Sequence, residues 1–534
     1  MLIPQSMAYA VLAGLPPIYG LYGGLIPLLI YAFIGSSRQL AIGPVAVSSV
    51  LIAEGISKIP GVEVLTPEFV GYALAAGLFI GLLQFLFGLL RMGFLVNFLS
   101  QPVIAGFTTA AAFIILGSQL SDFLGFPIDR DYSLFQKFQY AFTHLGRTDL
   151  LTVAFCTGAM VLMWAMKKIN RRLPSALLVV IPGMLLTYLF RLDTAGLQII
   201  GSIPEGLPAF EVPYFTIDIL KSLFPTIMTV TLIGIIESIG IAKTLENKHQ
   251  SYIVRPNREL IAVGLSKMGG ALFQAMPTSA SFTRSAINNS AGARTALAGI
   301  VTAALIGLTL LFFTSAFYYL PKAILAAIII LATRSLVEYE EAIRLWKFHR
   351  SDFFLMLSTF LVTLFLGIEE GVLIGVILSV LNVFYRASRP HIAVLGIMPG
   401  KTYYRNINRF DDIQHEADAL IVRFDNQLFF ANAAYFKDKI RELVLEENRP
   451  LKCFFLDAKS IIDIDSSGLT ALRDIHRFLR KSGIDFYVCG AIGPIRDRLI
   501  KAGFTEEIGK DRWFLSLHDG IVHFRERDEA RHTE

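Results

Sequence analysis

The hydrophobic residues of the first 390 positions form long apolar stretches separated by polar turns. A helix needs about 20 residues to cross roughly 30 Å of hydrocarbon, and many of these stretches approach that length. Two of them, 40–56 and 279–292, begin with small residues and are too short to cross alone, which indicates broken helices around a binding site. We predict fourteen spans, at residues 1–13, 18–35, 40–56, 70–90, 94–118, 149–166, 173–190, 222–242, 259–275, 279–292, 295–315, 318–333, 352–367 and 369–386.

After residue 405 the pattern changes to short apolar runs that alternate with amphipathic helical patterns. Strands are predicted at residues 419–424, 451–456 and 485–489, and helices at residues 433–445, 467–481 and 492–502. Alternating elements of this kind are typical of an α/β domain.

The charge content changes at the same place. Charged side chains occupy 46 of residues 1–390, about 12%, and 45 of residues 391–534, about 31%. Soluble proteins carry roughly 25%. We therefore predict a polytopic α-helical membrane domain at residues 1–390, a linker at 391–404 and a soluble domain at 405–528.

The charges also orient the membrane domain and exclude several classes of protein. With fourteen spans, seventeen Lys and Arg residues lie on the side of the tail and seven on the other side, which places both termini in the cytoplasm. The net charge is +5, but the basic residues form no continuous stripe along the sequence, so no nucleic-acid partner is expected. Cys156, Cys453 and Cys489 have neither metal-site nor disulfide spacing. The sequence offers no nucleophile–base pair and no cluster of metal ligands. We therefore expect neither an enzyme nor a bound metal or cofactor.

Four segments of the membrane domain carry a family likeness. Residues 17–38, which begin Pro-Ile-Tyr-Gly-Leu-Tyr-Gly-Gly-Leu-Ile-Pro and end Gly-Ser-Ser-Arg, resemble the signature of the sulfate permease (SulP) family of anion transporters. Residues 4–10 are similar to the first span of that family, residues 41–48 to its third and residues 282–285 to its tenth. Because family members carry a lead-in and a complete first span before Pro4, we expect the native chain to start earlier.

The resemblance implies a seven-plus-seven inverted repeat in which a core domain carries the substrate past a gate domain. It also implies that the third and tenth spans are half-helices that meet end to end. Two facing helix N-termini offer unpaired N–H groups and about one positive charge in total, which suits an anion. Small residues there can instead serve close helix packing. We expect these helix ends to bind the substrate, through Pro44, Val45 and Ala46 on one side and Ser281, Phe282, Thr283 and Arg284 on the other.

Two charged side chains inside spans are candidates for function, because a charge at membrane depth is costly. Arg284 would attract the anion, although an arginine can also snorkel to the interface. Glu237, within residues 222–242, would carry the coupling ion, either H⁺ or Na⁺, and so remove the repulsion between carboxylate and anion. A structural hydrogen bond is the alternative for Glu237. Lys267 is expected to snorkel.

The first span supplies two further candidates. Gln5 and Tyr9 are four residues apart and share one helical face, next to Pro4. The resemblance implies that this face lines the substrate cavity, with Gln5 donating hydrogen bonds and Tyr9 forming its wall. Polar contacts between helices are the alternative.

The soluble domain is similar to a STAS domain, which is related to bacterial anti-sigma-factor antagonists. The likeness rests on residues 429–433, Phe-Phe-Ala-Asn-Ala, and 463–468, Asp-Ile-Asp-Ser-Ser-Gly. In the antagonists a serine of this stretch is phosphorylated, which makes Ser466 and Ser467 regulatory candidates. Plain capping of a helix start is the alternative.

We therefore expect a multi-pass protein of the plasma membrane, such as a bacterial inner membrane. It would carry an inorganic anion, sulfate first and bicarbonate next, as a symporter with Na⁺ or H⁺. The alternatives are an uncoupled exchanger or channel, and a membrane-anchored sensor that acts through the STAS domain. A homodimer and a cytoplasmic regulatory partner at the STAS domain are also expected.

Overall fold

The structure is a computed structural model that describes residues 2–94, 100–129, 132–170, 174–410 and 413–533. The chain divides into two compact units, Met1–Ser379 and Val380–Glu534. Parts of the sequence predictions lie outside the described residues, namely Met1, residues 95–99 and 173 of predicted spans, and Arg130, Arg171 and Arg172 of the charge comparison.

The first unit is helical. Its described α-helices are α1 (Leu2–Leu12), α2 (Pro17–Ile34), α3 (Ala46–Ser57), α4 (Pro67–Leu89), α5 (Gln101–Ser118), α6 (Leu120–Leu124), α7 (Leu134–Thr143), α8 (Leu150–Ile169), α9 (Ser175–Phe190), α10 (Ile217–His249), α11 (Pro256–Leu272), α12 (Phe282–Ser290), α13 (Leu297–Phe312), α14 (Lys322–Thr333), α15 (Tyr339–Phe348), α16 (Arg350–Leu366) and α17 (Ile368–Ser388), the last of which continues into the second unit.

Each of the fourteen predicted spans overlaps one of these helices, while α6, α7 and α15 lie between spans. Among the described residues, five helical stretches are long and apolar enough to cross a membrane: Pro17–Ile34, Pro67–Leu89, Gln101–Leu124, Ile217–His249 and Ile368–Ser388. Five shorter helices are also apolar: Leu2–Leu12, Ala46–Ser57, Leu150–Met166, Ser175–Phe190 and Leu297–Phe312. The number fourteen stays a prediction.

The helices pack in two groups. In the first, α4 and α2 pack against α11, α4 also contacts α10, and α2 also contacts α1 and α13. In the second, α5 packs against α16, and α14 against α8 and α5. The core and the gate that the resemblance implies stay a prediction.

Glycines let the core helices approach closely. Where α4 crosses α11, a Cβ on Gly81 would lie 2.8 Å from the carbonyl oxygen of Gly264, and a Cβ on Gly264 would lie 2.7 Å from that of Gly81. Small residues at such crossings are the usual means of packing helices in membranes. Any larger side chain here would push the two helices apart.

Two short strands precede the two short helices. Strand β1 (Ile42–Gly43) leads into α3, and β2 (Ser279–Ala280) leads into α12. They pair antiparallel, with Ile42 opposite Ala280 and Gly43 opposite Ser279. The predicted segments 40–56 and 279–292 are therefore extended at their start and helical only afterwards.

The described residues of the second unit form a six-stranded sheet in the order β4-β3-β5-β6-β7-β8. Its strands are β3 (Ile392–Ile397), β4 (Tyr404–Asn406), β5 (Ala419–Phe424), β6 (Cys453–Asp457), β7 (Asp485–Cys489) and β8 (Trp513–Phe514). Its further helices are α18 (Ala433–Glu446), α19 (Ser466–Lys481), α20 (Gly493–Lys501), α21 (Phe504–Ile508) and α22 (Leu517–Thr533). Strands β5 to β8 run parallel, and β3 pairs antiparallel with both β4 and β5.

The predicted linker at residues 391–404 is wrong, because it contains β3 and the start of β4. Ala393 and Leu395 of β3 are buried on one side of the sheet, and Tyr404 packs with them. The strand was missed because its short run, Ile-Ala-Val-Leu-Gly-Ile, closely follows the apolar end of α17. The predicted strands and helices of the tail agree with the structure within about two residues at each end.

Candidate functional site

The paired strands place the starts of α3 and α12 side by side. Two more hydrogen bonds hold this arrangement. The N–H of Ser281 donates to the carbonyl of Ala41 at 3.0 Å, and the N–H of Ala41 donates to Oγ of Ser285 at 2.9 Å. The first of these bonds joins backbone to backbone and the second uses the Ser285 hydroxyl, so a backbone joint and one side chain together fix the helix ends.

The two helix ends differ in how their N–H groups are satisfied. Val45 is the N-cap of α3 and has no polar side chain, so no side-chain cap bond forms there. Ser281 is the N-cap of α12, and its Oγ accepts from the N–H of Arg284 at 3.4 Å. Because the first N–H groups of a helix have no partner within it, the start of α3 can bind an anion.

Arg284 lies between these helix ends. Its side chain is buried, and Nη1 donates to the carbonyl of Pro44 at 2.8 Å. Nε and Nη2 have no hydrogen-bond partner among the described residues. A Cβ on Gly43 would lie 3.2 Å from Nη2, so glycine at this position leaves room for the guanidinium. The burial rules out the snorkelling alternative and leaves two donor nitrogens for a ligand.

Glu237 of α10 faces the same place. The hydroxyl of Ser279 donates to its Oε2 at 2.7 Å. The side chain is partly buried. Lys267 and Arg284 are the cations that act on it electrostatically. The predicted carboxylate and arginine are therefore together at the pair of broken helices.

The candidates on α1 also lie here. Gln5 and Tyr9 are buried, and Oε1 of Gln5 has no hydrogen-bond partner among the described residues. Tyr9 acts electrostatically on Arg284. Since Oε1 is an acceptor, the prediction that Gln5 donates to the substrate rests on the amide nitrogen alone.

The remaining predicted residues divide by exposure. Pro44, Val45 and Ala46 are buried at the start of α3. The side chains of Phe282 and Thr283 are exposed, with Phe282 at 59%. These two residues belong to the first turn of α12, and only their backbone is placed by the strand pair. Their contact with a substrate stays a prediction.

The sequence interpretation missed Gln84, and its expectation that Lys267 snorkels was wrong. Lys267 is 2% exposed and does not reach an interface. Gln84 is completely buried, and its Nε2 donates to the carbonyl of Thr231 at 3.2 Å. Both are polar side chains within apolar helices, and the argument that selected Arg284 could have found them.

In the second unit Asp465 caps α19, through an Oδ1 that accepts from the N–H of Gly468 at 2.8 Å. Its Oδ2 accepts from the N–H of Phe430 at 2.9 Å. Ser466, the first residue of α19, is exposed, and Ser467 beside it is partly buried. A regulatory role for the two serines stays a prediction.

Other kinds of site find no support in the described ranges. No group of three or more His, Cys, Asp or Glu residues there could hold a metal ion. Burial raises the pKa of the Cys453 and Cys489 thiols well above its usual range, so both stay protonated. Both cysteines are free and buried.

A separate cavity of about 560 Å³ lies at the far end of α3. Its lining includes Glu54, Lys58, Lys137 and Gly367. Nζ of Lys58 is 3.1 Å from the carboxylate of Glu369 and 3.6 Å from that of Glu54. This cluster joins α3 of the core to α17.

Comparison with known proteins covers both units. The model of the sulfate permease family matches residues 1–359, and the STAS domain model matches residues 411–520. Sulfate transporter 4.1, chloroplastic, of Arabidopsis thaliana is 38% identical over 98% of this chain and 78% of its own length. High affinity sulfate transporter 2 of Stylosanthes hamata is 32% identical over 99% of this chain and 82% of its own.

Solved structures give the same picture of the fold. The murine Slc26a9 anion transporter in its inward-facing state superposes with a TM-score of 0.89 and 25% identity, over 97% of this chain and 88% of that one. The transmembrane domain of the cyanobacterial bicarbonate transporter BicA superposes with a TM-score of 0.60 and 21% identity, over 71% of this chain and 94% of that one.

Proposed function

The chain belongs to the sulfate permease family, and from that premise we propose that it is a secondary active transporter that carries sulfate across a membrane, coupled to H⁺ or Na⁺. It is a multi-pass membrane transporter with a STAS domain, as the sequence predicted, and not an enzyme. The proposal concerns what it carries and what drives it.

One observation carries the proposal: Arg284 is buried between two helix starts with two donor nitrogens unpartnered among the described residues. Buried guanidinium N–H groups without hydrogen-bond acceptors are costly, and an anion that bridges them to the N–H groups of α3 would remove that cost. Sulfate offers acceptor oxygens on every side. The two plant relatives are named sulfate transporters, which favours sulfate over bicarbonate.

Coupling is assigned to Glu237. Its carboxylate faces the position of the anion, so an ionised Glu237 would repel sulfate. A bound proton or sodium ion would cancel that charge, and the anion and the driving ion would then bind together.

The proposal extends to the surroundings. We place the protein in the plasma membrane with both termini in the cytoplasm, on the positive-inside argument. We also propose that the protein forms a homodimer and that a cytoplasmic partner binds the STAS domain near Ser466. Because one relative is named as chloroplastic, localisation of the tagged protein in cells is the test of the plasma-membrane placement.

The first test is uptake of radiolabelled sulfate into liposomes that contain the purified protein. We expect Arg284→Ala to abolish uptake while the protein stays monodisperse in detergent. Arg294→Ala is the matched control, because Arg294 lies just beyond the end of the same helix, outside the pair of helix starts. Uptake by Arg284→Ala at the rate of the unchanged protein would contradict the proposed site. Uptake of bicarbonate but not sulfate would contradict the proposal that sulfate is the substrate.

The second test addresses coupling. We expect inward H⁺ or Na⁺ gradients to accelerate sulfate uptake by the unchanged protein, and Glu237→Gln to remove that acceleration while sulfate exchange continues. Glu246→Gln is the control, since Glu246 lies on the same helix in an ion pair with Lys243. If neither gradient affects the unchanged protein, it is an uncoupled exchanger or channel.

A further inference from the structure

Helix α15 is amphipathic and too short to cross a membrane. Its ten residues cover about 15 Å, half the thickness of the hydrocarbon layer. One side of α15 is attached to the first unit through Leu345, which is buried against Ala105 of α5 and Met356 of α16. Two aromatic residues of the same helix are exposed, Trp346 at 48% and Phe348 at 87%.

An aromatic surface continues from α15 onto the start of α16. The ring of Trp346 meets those of Phe353 and Phe354, with centroids 4.9 Å and 6.4 Å apart, and Phe354 is exposed as well. We call Trp346, Phe348 and Phe354 the aromatic corner. Predicted spans flank α15 on both sides in the chain, so the corner lies near a membrane surface. Exposed aromatic side chains are typical of the level of the lipid headgroups.

Two cations accompany the aromatic corner. Lys347 of α15 and Arg350, the first residue of α16, are both exposed. The guanidinium of Arg350 lies over the ring of Trp346, 5.4 Å from its centroid. Neither cation forms an ion pair among the described residues. Both charges are therefore available to a ligand at the same place as the exposed rings.

The acidic groups around the corner do not neutralise these cations. Glu341 forms an ion pair with Arg344, and the carboxylate of Asp352 lies 3.6 Å from Nδ1 of His349. Glu340 lies in the first turn of α15, about 10 Å along the helix from Lys347. The end of α15 next to α16 is thus its basic end.

Helix α7 offers a comparison, since it is also ten residues long and lies between predicted spans. It exposes Phe135, Phe138 and Phe142, but its single charged residue is Lys137. The two helices share exposed aromatic residues and differ in charge. The cations of α15 are therefore an additional feature, which needs an explanation beyond contact with apolar lipid.

We propose that the aromatic corner binds an anionic phospholipid, with its rings at the boundary between headgroups and acyl chains and with Lys347 and Arg350 on the phosphate. This is how amphipathic helices with basic and aromatic residues bind membranes. Each basic residue near an anionic surface strengthens such binding about fivefold. In the proposed orientation the lipid belongs to the cytoplasmic leaflet. The binding anchors α16, and with it α5, to that leaflet.

The test uses Trp346 as a fluorescent reporter. The chain has three tryptophans, so Trp164→Phe together with Trp513→Phe leaves Trp346 alone. This chain is placed in phosphatidylcholine vesicles in which a fraction of the lipid is brominated phosphatidylglycerol or brominated phosphatidylcholine, because bromine quenches a neighbouring indole. We expect Trp346 to prefer phosphatidylglycerol about tenfold at low salt, and the preference to shrink in high salt.

Further variants separate the charges from the rings. Lys347→Gln with Arg350→Gln should remove the preference, while Lys347→Arg with Arg350→Lys should keep it. As a matched control, Phe142→Trp on α7, in a chain whose own tryptophans are all replaced by Phe, should be quenched equally by both lipids.

Equal quenching of Trp346 by the two brominated lipids overturns the inference, and so does a preference that survives the double glutamine variant. Quenching by neither lipid also overturns it and would indicate a protein partner at the corner. If the reporter chain fails to fold, native mass spectrometry of the phosphatidylglycerol retained by the unchanged protein and by the double glutamine variant decides in the same way. Neither measurement involves sulfate, so the result is independent of the proposed function.

Discussion

Two carboxylates in the core of the first unit, Glu259 and Glu237, are surrounded in opposite ways. Glu259, in the first turn of α11, is completely buried and accepts hydrogen bonds from the hydroxyl of Tyr31 at 2.7 Å, the N–H of Ser36 at 2.7 Å and the N–H of Ser37 at 2.9 Å. The hydroxyl of Ser36 donates to it as well. Glu237 accepts from the hydroxyl of Ser279.

The difference separates a structural carboxylate from one that can change its state. The donors of Glu259 hold the loop between α2 and β1 against the start of α11, and they would all lose their acceptor if it were removed. Beside Glu237, by contrast, Nζ of Lys267 and the amide oxygen of Gln84 have no hydrogen-bond partner among the described residues. Unsatisfied polar atoms mark the place where a ligand completes the network.

The largest expected effect is on stability. Glu259→Ala leaves several buried donors without an acceptor, and we expect it to cost about 3–5 kcal/mol of unfolding free energy. Glu237→Ala removes the acceptor of one hydroxyl and the carboxylate that acts on Lys267 and Arg284, and should cost less, about 1–2 kcal/mol. Thermal unfolding in detergent measures both. Glu259→Gln, which keeps one acceptor oxygen, should fall between them, and equal losses for the two alanine variants would refute the distinction.

The second prediction concerns the crowded space beside Glu237. Gly234→Ala places a methyl group 2.6 Å from Gln84 and 2.9 Å from Lys267, so the polar side chains must move. We expect about a tenfold loss of sulfate uptake in liposomes, because small displacements at a binding site are costly. Gly240→Ala, on the same helix with open space around its Cβ, is the control. A similar loss in both variants would point to helix α10 as a whole.

The smallest effect is expected at a third polar cluster, which is intermediate in exposure. Lys58, with a side chain 48% exposed, pairs with Glu369, which is 9% exposed and accepts a hydrogen bond from Thr226. Lys58→Ala should lower the unfolding free energy by about 1 kcal/mol, since half-exposed ion pairs are weak. Lys221→Ala, which breaks the exposed pair with Asp218, should have no measurable effect on unfolding. A larger loss from Lys221→Ala than from Lys58→Ala would contradict the argument from burial.

Much of this could be predicted from the sequence, because the patterns concerned are local. Apolar length located a helix in every predicted span, and the small residues before α3 and α12 marked the broken helices. The pairing of β1 with β2 could not be predicted, since more than 230 positions separate Gly43 from Ser279 and no spacing records it. The partners of Glu259 come from another helix and a loop, so they could not be predicted for the same reason.

The strand pair has a consequence for the transport cycle. Because β1 and β2 are joined through their backbones, and Ser281 and Ala41 extend that joint, we expect the two helix starts to move together as one rigid cradle. When such a cradle moves past the gate, the anion keeps the same ligands from one face of the membrane to the other. Under the proposed function, the intrinsic affinity for sulfate should then be equal on both faces, and the direction of transport would be set by the combined gradients of sulfate and the driving ion.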